Sequence, residues 1–293
     1  MNVVWMKTVS RSKKPITPGT GFQAGRAGGE PMEWSPEAEE LLGRVPFFVR
    51  KKVRKKVEEE AGRAGHARVT PQDVRRAQQR YLARMEEEVK GHRLEACFGE
   101  GGCPNRAVES RRLVERLEAV LTEADLLGFL RQEVDGPLRH HHEFRVALAD
   151  CPNACSRPQI QGIGLIGARE PARSDEPCTG CGACVEVCKE NAVTLKGDPA
   201  GPSIDPDACL GCGACIEACP SGTLVEGRRG WRVLLGGKLG RHPRLAEELP
   251  GLYTEDEVVE RVKQAVALYK DRAEGGERFS DLYERLEKDA FCP

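Results

Sequence analysis

The sequence lacks any hydrophobic run close to the about 20 residues that a transmembrane helix needs. Its first residues contain too short an apolar stretch and too few small residues to resemble a secretory signal peptide. An excess of charge is also missing, because 45 Lys and Arg residues oppose 46 Asp and Glu residues and leave a net charge of −1. This balance gives no global reason to bind nucleic acid or an acidic membrane. We therefore expect a cytoplasmic protein without a membrane span, for which nucleic acid is not the expected partner.

Cysteine, by contrast, is abundant, with 13 residues. Two runs of the form C-x2-C-x2-C-x3-C, with Gly and Ala between the cysteines, follow each other in the second half of the chain. Such runs hold the two [4Fe–4S] clusters of bacterial ferredoxins, where the fourth cysteine of each run binds the other cluster. The pattern predicts one cluster on Cys178, Cys181, Cys184 and Cys219, and a second on Cys209, Cys212, Cys215 and Cys188. A disulfide framework or a zinc ribbon is the alternative, which the spacing and the predicted reducing compartment disfavour.

Four further cysteines form a second constellation, as C-x5-C at Cys97 and Cys103 and as C-x3-C at Cys151 and Cys155. A helix is predicted between the two pairs, at 108–129, and strands are predicted at 144–148 and 160–167. Two cysteine pairs on loops beside strands predict a site with four thiolates. A structural zinc site is the alternative, but zinc pairs are usually spaced C-x2–4-C.

The C-x5-C pair, followed by C-P-N-A-C-S and an I-G-x-I-G strand, resembles the sirohaem and [4Fe–4S] domain of nitrite and sulfite reductases. The resemblance implies that Cys97, Cys103, Cys151 and Cys155 hold a third [4Fe–4S] cluster, and that Cys155 also bridges to a sirohaem iron. It further implies an enzyme that reduces sulfite or nitrite. Cationic side chains would hold such an oxyanion and help to supply protons. The candidates are Arg139, His140, Arg157, Lys238 and Arg241, although 140–142 also fit a plain surface turn.

Residues 236–243 (GGKLGRHP) resemble the segment that follows the inserted ferredoxin in small sulfite reductases of the anaerobic type. This resemblance implies that the ferredoxin module interrupts the reductase domain, which residues 230–293 then complete. The segment 171–176 is predicted to be a polar linker into the module. A hairpin with a turn at 197–202 is expected between the two cysteine runs. Cys292 has no assigned role.

The region 34–92 is predicted to be helical. Ser35-Pro36-Glu37 and Thr70-Pro71 are helix-start signals, and Phe47 and Phe48 are expected on the apolar side of a helix with a basic outer face. The segment from Trp34 to Val74 resembles the small helical domain of light-independent protochlorophyllide reductase subunits. Binding of nucleic acid by the basic face is an alternative that nearby Glu residues disfavour.

The sequence thus predicts an α+β protein in five parts: a flexible arm (1–33), a helical domain resembling that of protochlorophyllide reductase (34–92), a reductase-like α/β domain (93–170), a ferredoxin domain with two [4Fe–4S] clusters (171–229) and the C-terminal return (230–293). The leading functional hypothesis is an iron–sulfur oxidoreductase in which ferredoxin clusters feed a third, sirohaem-coupled centre. The alternative is an electron-transfer subunit with three clusters and no sirohaem, which serves a partner reductase. A cluster-sensing regulator that binds nucleic acid ranks third. An electron-donor protein or a reductase subunit is the expected partner.

Overall fold

This computed structural model describes residues 32–196 and 201–286. Most of the predicted arm at 1–33, the centre of the turn at 197–202 and Cys292 lie outside these ranges. The chain divides into two compact units, Met1–Gln79 and Arg80–Pro293. The predicted domain boundary at 92/93 stays a prediction.

The first unit is helical, with a short pair of parallel strands. Its elements are β1 (Glu33–Trp34), α1 (Pro36–Gly43), α2 (Phe47–Arg63), β2 (Arg68–Val69) and the start of α3 (Pro71–Glu87). The Ser35 side chain caps α1 by accepting a hydrogen bond from the backbone N–H of Ala38. The prediction for Phe47 and Phe48 is wrong, because these side chains are 82% and 75% exposed. The core of the unit uses smaller residues of α2 instead, including Val57 and Ala61.

The second unit is built on a five-stranded sheet of order β3-β4-β5-β8-β9, numbered along the chain. The strands are β3 (His92–Ala96), β4 (Phe144–Ala149), β5 (Ile163–Arg173), β8 (Leu224–Leu235) and β9 (Glu247–Glu248). The first three are mutually parallel, whereas β8 runs antiparallel to both of its neighbours. The carboxyl ends of β3 and β4 therefore lie at the same edge of the sheet, where open α/β sheets commonly place their sites.

Four helices accompany this sheet: α4 (Arg111–Glu123), α5 (Leu126–Glu133), α8 (Glu255–Arg272) and α9 (Phe279–Leu286). Their buried residues, such as Leu117 and Val262, share one hydrophobic core with Leu148 and Leu165 of the strands. The single helix predicted at 108–129 is wrong. Asp125 adopts a left-handed conformation (φ 44°), which ends the first helix, and its carboxylate caps the next. No helix of the described part of the chain is long and apolar enough to cross a membrane.

The cysteine runs lie in a small module at the far end of β5 and β8. It contains α6 (Ala183–Val187), α7 (Ala214–Glu217) and a hairpin of β6 (Val193–Lys196) with β7 (Gly201–Ile204). β5 and β8 pair continuously from Ile163 opposite Leu235 to Arg173 opposite Leu224, apart from one bulge. Residues 171–173 of the predicted linker are therefore strand, and a two-stranded ribbon connects the sheet to the module.

Candidate functional site

The first group of candidate ligands lies at the carboxyl edge of the sheet. Cys97 directly follows β3, and Cys151 follows β4 after one residue. Parallel pairing brings the two together, and the backbone N–H of Cys97 donates to the carbonyl of Leu148 at 3.0 Å. Although far apart in sequence, the C-x5-C and C-x3-C pairs therefore belong to one site.

Three thiols at this edge are close enough to Cys151 to affect its titration. Burial raises the pKa of Cys151, and the thiols of the other three cysteines raise it further. Neighbouring thiolates repel each other, so several of them can lie this close together only when a cation between them offsets their negative charges. A bound metal centre is such a cation. Cys151 is buried, whereas Cys155 is exposed. This arrangement fits a metal cluster with one ligand that faces outward.

Hydrogen-bond donors are aimed at the sulfurs of this group. Cys97 Sγ accepts from the backbone N–H groups of Gly99 at 3.3 Å and Asp150 at 3.2 Å. Cys155 Sγ accepts from the side-chain amide of Asn153 at 3.0 Å. Hydrogen bonds of this kind stabilise thiolate charge and tune the reduction potential of an iron–sulfur cluster. The surroundings of the sulfurs therefore fit cluster ligands.

The two ferredoxin-type runs group their thiols in the crossed manner. Burial raises the pKa of Cys184, and the thiols of Cys219 and Cys178 raise it further. Burial likewise raises the pKa of Cys215 to about 11. The thiols that add to this second shift are Cys209, Cys212 and Cys188. Each run thus has the last cysteine of the other run as an electrostatic neighbour, as two shared clusters require.

Backbone N–H groups also point at the sulfurs of these runs. Cys178 Sγ accepts from Gly180 at 3.4 Å, Cys188 Sγ from Ala192 at 3.3 Å and Cys219 Sγ from Leu224 at 3.4 Å. Burial raises the pKa of Cys219, but hydrogen bonds from Leu224 and Ser221 outweigh it, so the pKa lies below the ordinary value. These donors pre-arrange both runs for thiolate ligands.

Disulfide bonds and single-metal sites are the other arrangements that closely spaced cysteines can form. In the described ranges, no group of three or more His, Cys, Asp or Glu side chains could hold one metal ion. A zinc–sulfur bond of about 2.3 Å places tetrahedral sulfurs only about 3.8 Å apart, whereas a multi-iron cluster keeps its ligands farther apart. All twelve cysteines between 97 and 219 are also free of disulfide bonds. These free thiols are a donor set of the kind that iron–sulfur clusters use.

The structure places two of the candidate cationic residues, Arg139 and His140, away from the thiol site. Both precede β4, and the six residues of that strand span about 20 Å, so they lie at the edge opposite Cys151. The carbonyl of His140 accepts from Arg145 at 2.7 Å, and its ring faces Glu143 at 3.7 Å. The structure does not bring these two side chains to the thiol site.

The other three cationic candidates have different surroundings. Arg157 is exposed, two residues after Cys155, in a left-handed conformation (φ 57°). Lys238 donates to Asp281 at 2.8 Å and to Glu284 at 2.7 Å, which neutralises its charge. Hydrogen bonds to these two carboxylates raise the pKa of Lys238. Arg241 is exposed in the loop that follows Lys238. Of the five candidates, Arg157 is the one that lies closest to a thiol ligand in the chain.

Sequence reasoning missed Asp150, a buried residue that organises the thiol loops. Its backbone N–H donates to Cys97 Sγ, and its carbonyl accepts from Ala107 at 2.8 Å and Val108 at 3.1 Å. A Cβ on Gly99 would lie 2.0 Å from the Asp150 carboxylate. The glycines of the C-x5-C loop were the sequence signal for this contact, because a residue without a Cβ lets another side chain approach the backbone closely.

Comparison with known families agrees with this donor set. The family model described as "Nitrite and sulphite reductase 4Fe-4S domain" matches residues 92–292, which is more than half of the chain. The chain belongs to this family. The predicted resemblance is thereby confirmed, together with the assignment to an oxidoreductase family. A second model, described as "Proto-chlorophyllide reductase 57 kD subunit", matches residues 34–78 and confirms the resemblance of the helical unit.

Two relatives of this chain are named as sulfite reductase proteins. It is 33% identical over 183 residues to the coenzyme F420-dependent sulfite reductase of Methanocaldococcus jannaschii, covering 62% of this chain and 27% of that protein. It is 27% identical over 207 residues to an anaerobic sulfite reductase subunit of Salmonella typhimurium, covering 69% and 56%. The chain therefore spans less than two thirds of either relative. Among solved structures, dissimilatory sulfite reductase I matches with a TM-score of 0.47 and 18% identity, over 68% of this chain and 50% of that one.

Proposed function

We propose that this chain is an iron–sulfur oxidoreductase of the nitrite and sulfite reductase type, in which two ferredoxin clusters deliver electrons to a third [4Fe–4S] cluster. The observation that supports this most strongly is the grouping of the thiols. Eleven of the twelve described cysteines fall into three electrostatic groups that match the three predicted ligand sets. Cys181, the twelfth, joins the first set by its place in the run.

The third site fits an outward-facing ligand at Cys155. Its thiol is exposed, while its neighbour Ala154 is buried and Cys151 lies deeper. A sirohaem bound there would supply an iron at which sulfite or nitrite is reduced. Cys155 would hold that group, and the exposed Arg157, two residues farther along the chain, would be a cationic side chain able to attract an oxyanion. The exposed Phe98, beside Cys97 in sequence, offers apolar surface near the same edge.

A second candidate function is electron transfer without sirohaem, in the service of a partner reductase subunit. The observation that favours it is the placement of the cations: Arg139 and His140 lie at the opposite edge, and Lys238 is neutralised by two carboxylates. A tetrapyrrole with several carboxylates needs basic groups, which a partner subunit would then provide. The relative from Salmonella typhimurium is itself named as a subunit.

Metal analysis of anaerobically purified protein tests the proposed cluster content. We expect about twelve irons per chain, four for each cluster. A Cys151→Ala variant should fall to about eight, because the third cluster loses its most buried ligand, and a Cys292→Ala variant should keep all of them. About eight irons in the wild-type protein would contradict the assignment of Cys97, Cys103, Cys151 and Cys155.

The optical spectrum then separates the two candidate functions. An extractable tetrapyrrole with sirohaem bands, and sulfite or nitrite reduction by the purified protein, support the complete reductase. Broad iron–sulfur absorption alone, with about twelve irons, supports the electron-transfer subunit. Sirohaem that appears only after a co-purified partner is added assigns the missing basic groups to that partner.

A further inference from the structure

The two cysteine runs share the sequence G-C-G-A-C, but their surroundings differ. A Cβ on Gly180 or Gly182 of the first run would meet nothing within 4 Å. A Cβ on Gly211 of the second run would lie 3.1 Å from the Cβ of Ala168, and one on Gly213 would lie 3.3 Å from the Cβ of Arg169. The loop around Cys212 is therefore packed against β5, whereas the loop around Cys181 is open.

Arg169 connects the second run to the sheet. Its backbone N–H donates to the carbonyl of Gly211 at 2.6 Å, and Arg169 forms an isolated parallel bridge with Cys212. Its guanidinium donates to Glu226 of β8 at 2.7 Å and to Glu217 of α7 at 2.9 Å. The Arg169 side chain is only 14% exposed. One residue thus joins β5 to its neighbouring strand and to the short helix of the second run.

Position along β5 places the two runs at different distances from the third site. A Cβ on Gly167 would lie 2.7 Å from the carbonyl of Asp150, which directly precedes Cys151. Arg169 is two residues farther along the strand, or about 7 Å. The second run therefore lies beside the edge that carries the third group of thiols.

The first run is attached farther out along the same ribbon. A Cβ on Gly201 would lie 3.1 Å from both the Cys178 Cβ and Arg173 Nη2. Cys219 Sγ accepts from the backbone of Leu224, which is paired with Arg173. Arg173 lies four residues beyond Arg169, or about 13 Å. The order along the ribbon is third site, second run, first run.

We propose that the ligand set Cys209, Cys212, Cys215 and Cys188 is the proximal one, through which electrons reach the Cys97–Cys155 site, and that Arg169 positions it. This rests on the proposed function. A one-electron donor protein of low potential approaches the open loop of the first run. Each step moves one electron, oxidising one centre and reducing the next, without bond formation or proton transfer.

The equivalent exposed ligands Cys181 and Cys212 offer a matched pair of variants. Cys181→Ala and Cys212→Ala should each lower the iron content by about four per chain. In the dithionite-reduced full-length protein, electron paramagnetic resonance measures the magnetic coupling of the third centre to its nearest neighbour. This coupling decreases with the inverse cube of distance. We expect the broadening of the third signal to persist in Cys181→Ala and to disappear in Cys212→Ala; the reverse pattern, or equal loss in both, would overturn the proposed order.

Arg169 is tested with all the ligands retained. Arg169→Gln should keep the wild-type iron content but weaken the same coupling and slow reduction of the third centre several-fold, and Arg169→Lys should restore part of both. Arg229→Gln is the control, because Arg229 pairs with the same Glu226, at 2.9 Å. Wild-type behaviour of Arg169→Gln, or an equal effect of Arg229→Gln, would refute the positioning role. About eight irons in the wild-type protein would instead refute the proposed function, so the two failures can be told apart.

Discussion

Alanine at Gly211 should destabilise the protein more than alanine at Gly180, although the two positions are equivalent in the repeated run. Both glycines have a left-handed backbone, with φ of +67° and +68°. An alanine in that conformation costs about 1–2 kcal/mol at either position. At Gly180 the new methyl group meets open space, whereas at Gly211 it lies 3.1 Å from the Cβ of Ala168. Because that Cβ is fixed to a paired strand, Gly211→Ala should carry a further overpacking cost of about 1–3 kcal/mol.

Thermal unfolding of the two variants under identical anaerobic conditions measures this difference. One kcal/mol corresponds to about 2–4 °C in a domain of roughly 200 residues. Gly211→Ala should therefore unfold about 2–12 °C below Gly180→Ala. The comparison uses one scan rate, because cluster loss makes unfolding irreversible. Equal midpoints, or a lower midpoint for Gly180→Ala, would show that the second run is not packed against β5 and would remove the basis for its proximal position.

Three further predictions concern stability. Leu148→Ala should cost about 2–5 kcal/mol in denaturant unfolding, because the side chain is fully buried in the main core; a cost below about 1 kcal/mol would contradict that packing. Thr254→Ala should cost about 1 kcal/mol by removing the capping box of α8, and Thr254→Ser should restore most of it. Burial raises the pKa of Asp281, but hydrogen bonds from Lys238 and Arg278 outweigh it and lower the pKa overall. Its contribution is therefore complete above the ordinary Asp pKa and is lost as the pH falls through the lowered value, so Asp281→Asn should show a shallower acid-side loss of thermal midpoint than wild type.

Features encoded by adjacent residues could be predicted from the sequence. The cysteine spacing predicts both ferredoxin ligand sets, and each run turns at glycines next to its own cysteines, such as the left-handed Gly182 and Gly213. The start of α8 was predictable because Thr254 and Glu257 satisfy each other's backbone N–H groups, which requires no distant partner. β4 was predictable because it is a short, apolar strand followed by a cysteine loop.

Breaks within a continuous hydrophobic pattern could not be predicted in the same way. Leu121 and Leu126 are both buried, so the apolar pattern continues across the end of α4. The left-handed Asp125 between them reorients the chain without interrupting that pattern. Exposed Phe47 and Phe48 show the converse, since a large apolar residue on a helix does not by itself indicate the buried side.

Strand direction explains why residues close to Cys151 in sequence do not lie at the thiol site. Arg139 and His140 are near Cys151 in sequence, but β4 lies between them. Arg139 and His140 precede this strand and Cys151 follows it, so they lie at opposite ends of the strand. Cys97 is distant in sequence and yet shares the edge with Cys151, because β3 and β4 are parallel. Residues that follow parallel strands converge, and residues that precede and follow one strand separate. Candidate site residues in such a fold are therefore better sought after strands than near a motif.

Position in the fold also matters for the two cysteine runs and for the proposed direction of electron flow. The repeat specifies two nearly identical ligand sets, so its sequence alone cannot give one of them a different role. The difference arises outside the repeat, where Ala168 and Arg169 on β5 pack against Gly211 and Gly213 while Gly180 faces open space. In the proposed path, the two clusters would take different places because β5 packs against the glycines of the second run and not against those of the first. For this reason substitutions at Arg169, which is not a ligand, should alter the path while leaving the iron content unchanged.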